Sequence, residues 1–71
     1  MYTVLEIQDN TEQVSVLSYS FQTEAEAHQK FYEIMFYASS STVPIHSAAI
    51  IANGFCIRSD AMDRTIEETE E

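Results

Sequence analysis

The chain has 71 residues, with one cysteine, one glycine and one proline, and its twelve carboxylates against three cations give a formal net charge of −9. That length holds one domain, which buries only about 60% of its unfolded surface and is correspondingly marginal. The sign of the charge argues against nucleic acid or anionic lipid as a direct ligand, and no apolar run approaches the ~18 residues of a membrane span.

The lone Cys56 excludes an internal disulfide and fits a reducing compartment. The opening Met1-Tyr2-Thr3-Val4-Leu5-Glu6 has neither the basic region nor the uninterrupted apolar stretch of a secretory signal. A cytoplasmic location is expected.

Residues 2–8 and 13–21 are rich in Val, Leu, Ile, Tyr and Phe, and Asp9-Asn10-Thr11-Glu12 between them supplies turn residues; this predicts a β-hairpin. Val14 and Val16 then point to one face of the second strand, and Leu17, Tyr19 and Phe21 to the other. Thr23-Glu24-Ala25-Glu26 has capping-box spacing, and two acids in the first turn suit the helix dipole. The helix is expected to run to about residue 39, where a Ser/Thr tract and Val43-Pro44 end it. Ala27, Phe31, Ile34, Met35 and Ala38 form its apolar stripe. Tyr32 and Phe36 fall on the outward side, among Glu26, Gln29, Glu33 and Tyr37.

A second hairpin turns at Asn53-Gly54, the dipeptide a type I′ turn demands. The two-residue turn predicts pairs Ala52/Phe55, Ile51/Cys56, Ile50/Ile57, Ala49/Arg58 and Ala48/Ser59. Past Asp60 the apolar pattern fades, so the domain is expected over residues 1–62, with 63–71 a disordered acidic tail. The fold class is α+β: ββαββ, one helix packed on a four-stranded, mainly antiparallel sheet. One helix covers only one sheet face, yet Val14, Val16, Ile51 and Cys56 suggest that the other is also partly apolar. Burial against a second copy, a two-fold homodimer through those four residues, is the simplest resolution.

Reactive chemistry is sparse. His28 lies four residues after Glu24 but lacks a third metal ligand. His46 is expected in a surface ion pair with Asp60 or Asp63, and Cys56 as a small buried hydrophobe with nothing basic to activate it. Neither acidic turn has the ligand count of a calcium loop, and one glycine excludes a phosphate-cradling loop. No enzyme, metal or cofactor is expected.

The segment Val43-Pro44-Ile45-His46-Ser47-Ala48, the opening Tyr2-Thr3-Val4-Leu5-Glu6-Ile7-Gln8 and the helix over residues 27–37 resemble short uncharacterised acidic proteins of phages and mobile elements of gut Firmicutes. The resemblance implies an accessory role by stoichiometric binding in a host cell cytoplasm, with inhibition of a host nucleic-acid-binding defence protein as its specific form. The expectation is therefore an acidic interaction module that occupies a basic protein surface through Tyr32, Phe36, Glu26, Glu33, Asp60 and Asp63. The alternatives are a homo-oligomeric scaffold, and a small-molecule binder at a dimer interface lined by tyrosines and the Ser39 to Thr42 tract.

Overall fold

The computed structural model describes residues 1–64; the expected disorder of residues 65–71 lies outside them. The order is β1 (Tyr2–Asp9), β2 (Val14–Phe21), α1 (Glu24–Ala38), β3 (Ile45–Ala52) and β4 (Phe55–Asp63), the anticipated ββαββ. The strands form one open sheet in the order β2-β1-β3-β4, with every neighbouring pair antiparallel. β1 is thus inserted between β2 and β3, and the β2-α1-β3 connection crosses over it.

Local chemistry sets the turns. In the first hairpin the Asp9 carboxylate accepts from the Thr11 amide, and the Asn10 side-chain oxygen accepts from the Glu12 and Gln13 amides, which lets short polar side chains replace ladder partners. Thr11 is driven to φ 75°, a conformation that a β-branched residue rarely adopts. In the second hairpin Asn53 and Gly54 sit at φ 53° and 81°, as a type I′ turn requires. The Thr23 hydroxyl accepts from the Glu26 amide at 3.2 Å and starts the helix.

The core is one layer. Ala27, Phe31, Ile34 and Ala38 of α1 bury against Val4 of β1 and Ala48, Ile50 and Ala52 of β3, so the helix lies chiefly over the two central strands. Full burial of a side chain the size of Phe31 or Ile50 contributes roughly 2 kcal/mol.

Two expectations need correction. The second hairpin keeps the predicted register only for Ala52/Phe55 and Ile51/Cys56; beyond them Ile50 pairs with Arg58, Ala49 with Ser59 and Ala48 with Asp60. Ile57 is therefore the extra residue of a β-bulge, which re-aims every later side chain of β4 to the opposite face. The tail boundary also moves. β4 runs through Asp63, and the Arg64 amide donates to the Pro44 carbonyl at 2.7 Å. The Arg64 guanidinium donates to the Ala38 and Ser39 carbonyls at 2.8 and 2.9 Å, joining the Ser41 amide on Ala38, and places at the helix C-terminus a cation that the helix dipole favours. Met62 is thus not the end of the ordered chain.

Two stability outcomes follow. Arg64→Ala is expected to destabilise by about 1–2 kcal/mol, since it removes charge-assisted bonds to two helix-end carbonyls; a urea titration measures it, and an unchanged midpoint contradicts the clamp. Thr11→Gly, which relieves the positive φ, is expected to raise the thermal midpoint by several degrees.

Candidate interaction surfaces

Because side chains alternate along each strand, the registers assign every sheet residue to a face. The covered face carries Tyr2, Val4, Glu6 and Gln8 of β1, Tyr19 and Phe21 of β2, and His46, Ala48, Ile50 and Ala52 of β3. The open face reads in four cross-strand rows from β2 to β4: Ser20, Thr3, Ile51, Cys56; Ser18, Leu5, Ala49, Ser59; Val16, Ile7, Ser47, Ala61; and Val14, Asp9, Ile45, Asp63. The four residues expected at a dimer interface, Val14, Val16, Ile51 and Cys56, therefore do share one face. Four strands at ~4.8 Å spacing and about 26 Å long make this face roughly 500 Å² in all, on which apolar side chains such as Val14, Val16, Leu5, Ile7 and Ile51 alternate with serines and Thr3. Among the described residues it carries no cation, and its acids, Asp9 and Asp63, lie together at one end.

The bulge at Ile57 keeps it so. In the unbulged register Arg58 falls opposite Ala49, on the open face. Instead it sits opposite Ile50, and its guanidinium lies 5.1 and 5.2 Å from the ring centres of Phe31 and Tyr32, a cation-π geometry. The other cations are also held within the molecule. Lys30 Nζ stands 4.2 Å above the Tyr19 ring and donates to Glu33 at 3.3 Å, and Arg64 caps the helix. No sequence signal marked Ile57 as the extra residue, so neither Arg58 contact was predicted.

On α1, Tyr32 and Phe36 are 53% and 71% exposed, as the helical spacing predicts, but the proposed acids do not all join them. Tyr32 lies on the β4 flank beside His28 and Arg58. Glu33, bonded to Lys30, and Glu26, by helical spacing, lie on the β2 flank. Asp60 pairs with Ala48 on the helix side of the sheet and Asp63 with Ile45 on the open side; their odd spacing already placed them on opposite faces. Tyr32 with Phe36 and Glu26 with Glu33 are thus two neighbouring helix strips, whereas Asp60 and Asp63 belong to different surfaces.

His46 and Cys56 depart from expectation in opposite directions. His46 is only 4% exposed, and its Nε2–H donates to the Glu6 carboxylate at 2.8 Å across the β1/β3 pair, far from a surface ion pair with Asp60 or Asp63. Its cross-strand neighbour on β4 is Met62. The insertion of β1 beside β3, invisible to local reading, supplies the partner. Glu6 also accepts from the Tyr19 hydroxyl and the Gln8 amide, each at 3.1 Å. Burial opposes ionisation of Glu6, but these three hydrogen bonds, with His46 foremost, outweigh it and hold the carboxyl below its ordinary value. Partial burial and the Glu6 charge in turn raise the Tyr19 phenol. His46 Nδ1 is buried without a hydrogen-bond partner. Cys56 is exposed rather than buried, because β4 is an edge strand; its thiol donates weakly to the Arg58 carbonyl at 3.4 Å.

His28 Nδ1 stands 3.1 Å from the Glu24 carbonyl, a local helix contact. No group of three or more metal-ligating side chains exists among the described residues. The Ser39 and Ser40 hydroxyls donate to the Phe36 and Tyr37 carbonyls, and Ser41 Oγ accepts from the Val43 amide, so the tract suggested as a ligand lining is occupied in ending the helix. A groove of about 340 Å³ between α1 and β2 is lined by Phe21, Gln29, Lys30 and Glu33, but Lys30 and Glu33 already engage each other. No described helix is long and apolar enough to cross a membrane. No family model matches this chain, and neither a curated protein nor a solved structure matches it significantly.

The Glu6 cluster has a pH signature. With the folded carboxyl below its unfolded value of about 4.5, its contribution is complete above pH 4.5 and declines as pH falls through the lower folded value. Glu6→Gln is expected to lose about 1 kcal/mol at neutral pH, and the gap to wild type should close on acidification. Thermal melts of both proteins between pH 7 and pH 3 measure this, and a gap that widens in acid contradicts it.

Proposed function

We propose that this protein is a non-enzymatic interaction module that self-associates and acts by stoichiometric binding to a basic protein surface. The observation that carries the reading is the excess of carboxylates on ordered, exposed backbone. Lys30, Arg58 and Arg64 are all committed to intramolecular partners, whereas of the eight described acids only Glu6 is largely enclosed. Arg58 and Arg64 remain exposed while so engaged, but seven exposed or half-buried carboxylates outnumber the three cations, so a target meets aromatic rings and an excess of negative charge. Acids on ordered backbone, such as Glu26 and Glu33 on α1, hold fixed spacing, the feature that lets an acidic surface imitate phosphates rather than merely attract cations. Tyr32 and Phe36 supply the apolar anchors that bindable surfaces concentrate.

Self-association answers the other half of the chemistry. The open face, cation-free and with acids only at one end, suits a second copy, and Val14, Val16, Ile51 and Cys56 are the interface residues in this reading. With that face covered, the helix side remains for the target. The resemblance to phage and mobile-element proteins agrees with an inhibitor of a host nucleic-acid-binding defence protein, working in the host cytoplasm. A homo-oligomeric scaffold is the second reading, favoured by the same open face; it predicts assembly without a basic target.

The test is a pull-down from host lysate with the full chain, with Tyr32→Ala/Phe36→Ala, and with a chain ending at Arg64. A basic nucleic-acid-binding protein should be retained at about 50 mM salt, released by about 300 mM, and lost with the aromatic double substitution. Retention that ignores ionic strength, or no basic protein retained at low salt, contradicts the reading. Loss on truncation alone moves the active charge to residues 65–71.

A further inference from the structure

We propose that the outer edge of β2 pairs with the same strand of a second copy, antiparallel about a two-fold axis, making one continuous eight-stranded sheet. β2 lies at the margin of the sheet, and nothing among the described residues pairs with its outer edge. Natural edge strands are usually blunted by charges, proline, bulges or very short length. Val14-Ser15-Val16-Leu17-Ser18-Tyr19-Ser20-Phe21 has none of these: no charged residue, no proline, and eight consecutive regular pairs with β1. It has the composition of an interior strand. β3 is equally uncharged but is paired on both sides.

The opposite margin shows the contrast. β4 carries the bulge at Ile57 and the charged residues Arg58, Asp60 and Asp63, so one edge of this sheet is defended and the other is not. The chain also leaves apolar side chains exposed along the undefended edge. Val14 and Val16 are each 56% exposed on the open face and Leu17 46% on the helix side, and a neighbouring strand covers both sets at once through cross-strand pairs.

The occupant is a second copy because of charge and symmetry. Two chains of −9 each repel, and they approach most cheaply along a strip without charge; β2 against β2 is such a strip. A two-fold axis normal to the sheet keeps each face on its own side, so facing residues must share a face, which places the axis at Leu17 or Ser18. Pairing β2 with the β4 edge is instead head-to-tail and does not close, and the bulge and charges of β4 oppose it. Both helices then stand on the same side of the joined sheet. They have room, since α1 lies over β1 and β3 and the groove lined by Phe21, Gln29, Lys30 and Glu33 separates it from the β2 margin.

This contact does not depend on the open face, which it leaves continuous across eight strands. Combined with the face-to-face contact of the proposed function, it gives a tetramer with two kinds of isologous interface, and to that extent the tetramer rests on that reading.

Sedimentation equilibrium of the full chain at tens of micromolar, with Leu17→Lys for the edge and Ile51→Lys for the face, separates the two. Wild type is expected at four times the chain mass of 8.1 kDa, and each variant at half the wild-type mass with unchanged far-ultraviolet dichroism. If Leu17→Lys leaves the mass unchanged while Ile51→Lys lowers it, the edge proposal is overturned and the face contact stands. The reverse pattern keeps the edge and removes the face. Hydrogen exchange on the wild type alone provides a second readout that needs no folded variant. Alternate β2 amides, those directed away from β1, should gain protection as concentration rises, and free exchange at every concentration overturns the proposal.

Discussion

Among the described residues a single helix of 15 residues, about 22 Å long, lies against the four-stranded sheet, and the rest of the fold is an accommodation to that shortage. The helix covers the two central strands and closes a core of seven small and medium side chains around Phe31. Among the described residues nothing covers the other sheet face, the outer margin of β2 or the outer side of the helix. A domain of this size has little stability in reserve, so each exposed apolar surface weighs heavily.

Within that layout the polar contacts do specific structural work. The Glu6–His46 pair joins β1 to β3 across 40 residues of sequence, and it buries a charge only because His46, Gln8 and Tyr19 all donate to it. Arg64 closes the helix end, and Arg58 roofs Phe31. Arg58 and Arg64 stay exposed while they do so, and their placement serves the fold and keeps cations off the open sheet face. The bulge at Ile57 contributes to both, since without it Arg58 sits on the open face.

Elements with local signals were legible in the sequence: the capping box at Thr23, the Asn53-Gly54 turn, the apolar stripe of α1, and the alternation that places Val14 and Val16 on one face. The shared face of Ile51 and Cys56 was legible too, because the two-residue turn fixes the first pairs of the hairpin. What depended on long-range pairing was not. The strand order put Glu6 beside His46, where a local reading saw only nearby Asp60 and Asp63. The bulge shifted β4 from Arg58 onward, and the anchoring of Arg64 by the helix end has no signature in a segment that reads as acidic tail. Cys56 was misjudged for a related reason: whether a strand lies at an edge is a property of the sheet, not of its sequence.

The central claim is that the open sheet face is covered in solution. Its most direct test is the accessibility of the Leu5, Ile7 and Ile51 methyl groups to a neutral paramagnetic cosolute, read by methyl NMR across a range of protein concentrations. The account predicts that these methyls are shielded at tens of micromolar, comparably to Ile50 in the core, and become accessible on dilution while Ile50 does not. Methyls of Leu5, Ile7 and Ile51 that relax at every concentration like those of a solvent-facing side chain would contradict it.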